Sequence, residues 1–104
     1  MTYRIDDVFG AIADPGRREI LGLLAGSELA VKDIAAHFEV SRPAVAKHLG
    51  VLERASLVRA RRAGRERLYR LTPRPLCEVQ QWVIRYERFW KSRLLRLKAQ
   101  VERK

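Results

Sequence analysis

The chain has 104 residues and a formal net charge of +10, from 22 lysines and arginines against 12 carboxylates. Its composition excludes a disordered or fibrous chain, and a single cysteine, Cys77, excludes an internal disulfide and a cysteine-rich zinc site. So large a positive charge on so small a protein predicts a polyanionic partner, nucleic acid first and an acidic membrane surface second.

Two helices are predicted in the first 25 residues. In residues 5–13, apolar side chains recur at the spacing of one helical face. Asp14 is a predicted N-cap, and Pro15 follows at the first position of a second helix. No stretch is apolar over the roughly 20 residues needed to span a bilayer, and the N-terminus lacks the apolar segment of a signal peptide. We therefore expect a cytoplasmic protein.

Residues 31–54 have the pattern of a helix-turn-helix unit. A short helix and a turn precede a longer helix that begins at Ser41, a strong N-cap candidate. Val45, Leu49 and Leu52 form its buried stripe, so the opposite face points to solvent. The residues on that face are small or cationic, as entry into the major groove requires. The residues predicted to contact DNA from this helix are Ser41, Arg42, Pro43, Ala44, Lys47 and His48. For His48, which flanks the buried stripe, a phosphate contact and a structural role stay open.

Residues 57–71 have the pattern of a β-hairpin. Two strands flank Gly64, which supplies the positive φ that a tight hairpin needs. Residues 54–74 contain eight arginines and one carboxylate, whereas residues 1–40 contain four cations and seven carboxylates. Arginine suits bidentate phosphate contacts and narrow minor grooves, so this wing is predicted to contact DNA. The predicted contacts are Arg59, Arg61, Arg62, Arg65 and Arg67.

One long helix is predicted over residues 75–102. Apolar and aromatic side chains recur there every three or four residues, and the helix would be about 40 Å long, more than a small domain covers by itself. Large aromatic side chains at this spacing favour a dimer core over a ligand pocket. The predicted interface, which includes the first helix, comprises Ile5, Phe9, Ile12, Val79, Trp82, Val83, Tyr86, Phe89, Trp90, Leu94 and Leu97.

Over about residues 5–75 the chain resembles the ArsR/SmtB-type transcriptional repressors. The resemblance rests on ELAVKDIAAHFEVSRPAVAKHLGVLERASLVRARRAGRERLYRLT, which is similar to their winged helix-turn-helix, and on the preceding DPGRREILGLL. The aromatic-rich QQWVIRYERFWKSRLLRLK resembles the last helix of a metal-independent subgroup. The resemblance implies a homodimer that binds pseudo-palindromic operator DNA and represses transcription.

The chain departs from the family pattern at the positions that bind metal. Metal-sensing members carry a Cys-x-Cys pair where this chain has Ala30-Val31-Lys32, and others use histidines of the last helix, which has none here. We therefore expect no metal and no other cofactor. Ala30 cannot cap the short helix, a loss of roughly 0.5–2 kcal/mol. Glu39 replaces a frequent glycine, so left-handed dihedrals there would cost about 1–2 kcal/mol.

The predicted fold class is mainly α with a two-stranded β-hairpin wing, a single winged helix-turn-helix domain that dimerises through its terminal helices. The predicted function is sequence-specific binding of double-stranded DNA by a homodimeric repressor, with a protein or small-molecule effector left open. The alternative is a basic amphipathic module for a membrane surface or a protein partner, because the last helix is basic and aromatic-rich. An enzyme is not expected, since the sequence shows no nucleophile–base pair, glycine-rich phosphate loop or paired catalytic carboxylates.

Overall fold

The computed structural model describes residues 3–102, and these form six helices and three strands. In chain order the elements are α1 (Ile5–Ile12), α2 (Pro15–Leu24), β1 (Leu29–Ala30), α3 (Val31–Phe38), α4 (Arg42–Arg54), β2 (Val58–Ala63), β3 (Glu66–Leu71), α5 (Arg74–Ile84) and α6 (Glu87–Glu102).

Side-chain caps begin α2 and α4, as the sequence predicted. The Asp14 carboxylate accepts a hydrogen bond from the backbone N–H of Arg17 at 3.0 Å, and the Ser41 hydroxyl accepts one from Ala44 at 3.2 Å. Helix α3 has no side-chain cap at Ala30, and Glu39 ends it in the left-handed region, with φ 55° and ψ 41°. Both expected departures at α3 are therefore confirmed.

Helix α4 lies at the centre of the apolar core. Its predicted stripe of Val45, Leu49 and Leu52 is at most 1% exposed. These side chains pack in one cluster with Val8 of α1 and Ile34 of α3, both fully buried. Burial of each such side chain contributes about 1.5–3 kcal/mol. The core therefore holds the opposite face of α4 in a fixed orientation toward solvent.

The sheet has three strands rather than the two that the sequence predicted. All pair antiparallel in the order β1-β3-β2, and β1 adds Leu29 opposite Tyr69 and Ala30 opposite Leu68. A strand of two residues is too short to show an alternating pattern, which explains why the sequence did not reveal it. Strand β1 pairs with the middle of β3 and leads directly into α3, so it connects the wing to the first residue of α3.

The predicted final helix is two helices in the structure. α5 ends at Ile84 and α6 begins at Glu87, with the Tyr86 N–H bonded to the Val83 carbonyl at 2.9 Å across the junction. Bonds of this three-residue spacing tighten a helix turn. β-branched and aromatic residues have lower helix propensity than leucine or lysine, and they concentrate at residues 82–86. The junction therefore lies where the local helix preference is weakest.

Helix α6 extends away from the rest of the chain. It contains no buried residue, and the described residues span 57 × 34 × 20 Å with a radius of gyration of 17.4 Å. About 13 Å is typical for a compact chain of this length. A 16-residue helix that buries none of its residues is marginal in water, because most helix stability in proteins comes from tertiary packing.

Candidate nucleic-acid interface

The exposed face of α4 begins at its first turn. Arg42, Pro43, Ala44 and Lys47 are all exposed, opposite the buried stripe. Ala46 is exposed beside them, a residue that the sequence analysis omitted although its place on the helical wheel would have indicated it. Apart from Arg42 and Lys47, these side chains are short, so the α4 backbone can approach a groove floor closely.

His48 lies behind that face in a network with α1 and α2. Its Nδ1 is 3.4 Å from Arg17 Nη1, and its Nε2 is 4.0 Å from Asp14 Oδ2. The Arg17 backbone N–H, with help from the Arg17 and His48 side chains, lowers the pKa of Asp14 despite partial desolvation. The structure thus places His48 among structural partners.

Arg17 and Arg18 bind the carboxyl end of α1. The Arg17 guanidinium donates to the carbonyls of Ala11 at 2.6 Å and Gly10 at 3.1 Å, and Arg18 donates to Ile12 at 2.7 Å. Cations at this position donate to the last carbonyls of the helix and interact favourably with the negative end of the helix dipole. Both side chains therefore fix the angle between α1 and α2.

The wing is a tight hairpin whose arginines oppose one another. Gly64 has φ 63° at the tip, as predicted. Arg62 lies directly opposite Arg67, and Arg59 lies opposite Arg70 nearer the base. Like charges directly opposite each other destabilise a strand pair. An anion bound between these side chains would relieve that repulsion.

Two wing arginines are ion-paired and position the hairpin. The Arg61 guanidinium contacts both carboxylate oxygens of Glu28 at 2.7–3.0 Å, which lowers the pKa of Glu28 and raises that of Arg61. Arg67 Nη2 lies 3.7 Å from Glu53 of α4. By contrast, Arg62 and Arg65 form no ion pair with any described carboxylate. They are the more available contacts at the tip.

A groove of about 280 Å³ joins the wing to the beginning of α3 and α4. Its lining includes Arg42 from α4, Arg67 and Glu66 from β3, and Lys32 from α3. The Lys32 ammonium lies 2.6 Å from Glu66 Oε1, which raises the pKa of Lys32. Sequence reasoning missed Lys32 as a member of this surface, because only the pairing of β1 with β3 brings it to the wing. Arg42 and Arg67, predicted separately, are brought together here.

The predicted dimer residues divide into two sets. Ile5, Phe9, Ile12, Val79 and Val83 are half-buried in the chain's own fold, whereas Trp82, Tyr86, Phe89, Trp90, Leu94 and Leu97 are 38–59% exposed. An aromatic series connects the sets: the Phe9 and Trp82 rings lie edge to face at 5.2 Å, and Tyr86 follows at 5.3 Å. The apolar surface of α1 and α5 thus continues along α6.

The chain is similar in sequence to known transcriptional regulators. The bacterial regulatory protein arsR family matches residues 14–60. The transcriptional repressor SdpR of Bacillus subtilis is 37% identical over 79% of this chain and 91% of its own length. The HTH-type transcriptional regulator Rv2034 of Mycobacterium tuberculosis is 44% identical over 86% of this chain and 81% of its own.

The chain belongs to the ArsR family. A solved homodimeric winged helix-turn-helix DNA-binding domain from Mycobacterium bovis, a possible ArsR-family regulator, superposes with a TM-score of 0.66 at 29% identity, covering 84% of this chain and 82% of that one. This ArsR-family protein is a DNA-binding transcriptional regulator and not an enzyme, which confirms the predicted fold and general function.

Two other features, a cluster of metal ligands and a membrane-spanning helix, are absent from the described part of this ArsR-family protein. Within residues 3–102 no group of three or more His, Cys, Asp or Glu side chains is placed to hold a metal ion. None of the described helices combines the length and apolarity that a membrane crossing requires. Lys32, which the family resemblance places where metal-sensing members carry cysteine, is ion-paired with Glu66.

Proposed function

We propose that this chain is a homodimeric transcriptional repressor that binds a pseudo-palindromic operator in the cytoplasm without sensing metal. The carrying observation is that Arg42 of α4 and Arg67 of β3 line one groove. A helix in the major groove and a ribbon beside it then contact the same stretch of duplex.

We assign roles within a single domain comprising the helix-turn-helix 31–54, the wing 57–71 and the dimerisation segment 75–102. From α4, Arg42 and Lys47 supply donors to bases and phosphates, while Pro43 and Ala44 allow close approach. Ser41 caps the helix, and His48 supports it from behind. In the wing, Arg62 and Arg65 contact the DNA backbone or minor groove, and Arg59, Arg61 and Arg67 flank or position the tip.

Dimerisation through α6 is supported by its narrow apolar seam. Trp90, Leu94, Leu97 and Val101 are spaced four, three and four residues apart, the repeat of a coiled-coil interface. Lys91 and Lys98 beside the seam pair within the helix with Glu87 at 3.5 Å and Glu102 at 3.9 Å, which reduces repulsion between two copies. A helix that lies on a membrane surface needs a broader apolar face, so a second copy fits this seam better.

Selection of bound duplexes from a random pool at physiological salt tests the proposal. Two recognition helices related by a twofold axis would select half-sites about one helical turn, ~34 Å, apart. A symmetric consensus of this spacing is expected. An asymmetric consensus or none would contradict a dimeric operator-binding protein, and sedimentation with anionic vesicles despite excess DNA would favour membrane-surface binding.

A further inference from the structure

A second polar cleft lies at the base of the wing. It has a volume of about 390 Å³ and is formed by the segment before α1, the base of the hairpin and the first turns of α5. Its polar lining residues are Arg59, Thr72, Arg74, Glu78, Tyr3 and Ser56. Nothing in the proposed DNA contact at the wing tip uses Thr72, Arg74, Glu78 or Tyr3.

The cleft is weakly cationic. The Arg59 and Arg74 guanidiniums form no ion pair with any carboxylate in residues 3–102. The cleft is also lined by one carboxylate, Glu78. The two guanidiniums and this carboxylate together carry one formal positive charge. Planar guanidiniums suit the oxygens of a phosphate or carboxylate. A small monoanion therefore matches the charge of the cleft.

Glu78 requires that a ligand of the cleft carry a hydrogen-bond donor. Glu78 and Tyr3 both line the cleft, and partial burial together with a hydrogen bond to Glu78 raises the pKa of the Tyr3 hydroxyl. A carboxylate has about four acceptor sites, and one tyrosine hydroxyl occupies only one of them. An oxyanion that keeps a proton can donate to Glu78, whereas one without a proton would be repelled.

We infer that this cleft binds a protonated phosphate group, as free phosphate or as a phosphate monoester, between Arg59 and Arg74, with Glu78 accepting the phosphate proton. Thr72 supplies a further hydroxyl. Sulfate near neutral pH and the phosphodiesters of DNA lack this proton, so Glu78 discriminates against both.

Apart from Arg59, which also belongs to the wing, the residues of the cleft lie away from the surface proposed to bind DNA. Arg59 precedes the end of β2 at Ala63 by four residues, about 13 Å along a strand. The 13 residues of α4 span about 20 Å, and the cleft borders the turn after its last residue rather than its first turn. A ligand here would contact α5 and the base of the wing together.

Isothermal titration calorimetry of the full chain at about pH 6, near the second pKa of phosphate monoesters, tests the inference. The probes are inorganic phosphate, glycerol 3-phosphate, sulfate and dimethyl phosphate at matched ionic strength. Phosphate or glycerol 3-phosphate is expected to bind at least tenfold more tightly than the other two. The tighter of the two binders identifies free phosphate or a monoester as the preferred form.

Variants distinguish a specific binding site from non-specific electrostatic attraction. Arg74→Gln should weaken phosphate binding at least tenfold, and Glu78→Gln should abolish discrimination against sulfate. Arg96→Gln on α6, with the same change of charge, should bind like the wild type. If circular dichroism shows that Arg74→Gln does not fold, Thr72→Val replaces it as the test. Thr72→Val keeps the shape of the side chain and should also weaken phosphate binding. Equal losses in Arg74→Gln and Arg96→Gln, or no preference for phosphate over sulfate in the wild type, would overturn the inference.

Binding to DNA provides the second readout. Arg74→Gln should leave duplex affinity and its dependence on salt unchanged, so loss of the phosphate site would not imply loss of operator binding. If Arg74→Gln instead lowers the salt slope by about one unit, Arg74 contacts a DNA phosphate and the separate site is refuted.

Discussion

Lys32 Nζ lies 2.6 Å from Glu66 Oε1, and this ion pair joins the first turn of α3 to the first residue of β3. It spans the groove that Arg42 and Arg67 line. Among the described residues that line this groove, Glu66 is the single carboxylate beside three cations, Lys32, Arg42 and Arg67.

Neutralising Glu66 should strengthen binding to every duplex. Glu66→Gln removes a negative charge from the groove and frees Lys32 for a phosphate. We expect higher affinity and a steeper dependence on salt, measured by fluorescence anisotropy across a salt series. Lys32→Gln is the opposite change and should weaken binding. If both variants bind like the wild type, the groove does not contact DNA.

The two unpaired tip arginines should contribute salt-dependent affinity that is independent of sequence. Arg62→Ala and Arg65→Ala are each expected to lower the slope of log affinity against log salt by about 0.9 for each phosphate that the arginine neutralises in the wild type. Operator and random duplexes should be weakened alike. Arg96→Ala on α6 is the matched control. Slopes in the tip variants that equal that of the control would refute the assigned role of the wing.

The first turns of α4 should determine base preference. Arg42→Ala or Lys47→Ala is expected to cost about 1–3 kcal/mol on the operator for each base that the side chain recognises, with a smaller loss on random DNA. Repeating the duplex selection with each variant would reveal a relaxed position in the consensus. An unchanged consensus would show that these side chains contact phosphates alone.

Leu97 and Leu95 offer a matched test of the α6 seam. Both are 58% exposed in the single chain, but only Leu97 lies on the stripe with Trp90 and Leu94. Leu97→Ala should therefore weaken dimerisation at least tenfold in sedimentation experiments, whereas Leu95→Ala should have little effect. The same effect in both variants would contradict a specific helix seam.

Glu39→Gly should stabilise the fold. Glu39 has φ 55° at the end of α3, where a left-handed backbone costs a residue with a Cβ about 1–2 kcal/mol. Glycine avoids this cost but loses more backbone entropy on folding, by roughly 0.5–1 kcal/mol. A net gain of up to about 1.5 kcal/mol is expected in urea unfolding. Ala36→Gly, within the same helix, should destabilise the protein by a similar amount.

The local order of the chain could be predicted from the sequence because it depends on near neighbours. Ser41 places the beginning of α4, the spacing of Val45, Leu49 and Leu52 determines its buried face, and Gly64 marks the hairpin tip. Each of these signals acts within a few residues. The cationic face of α4 and the cationic wing could be predicted from the same local patterns.

The tertiary structure alone decided which of these cations meet and which are already paired. Glu28 reaches Arg61 across 33 positions in sequence, and Lys32 reaches Glu66 only because β1 pairs with β3. The single helix predicted over residues 75–102 is two helices in the structure, although the apolar spacing continues through both. That spacing does not encode the break between Ile84 and Glu87. Contacts between distant residues depend on the angles at which elements pack, and side-chain periodicity within one element does not specify those angles.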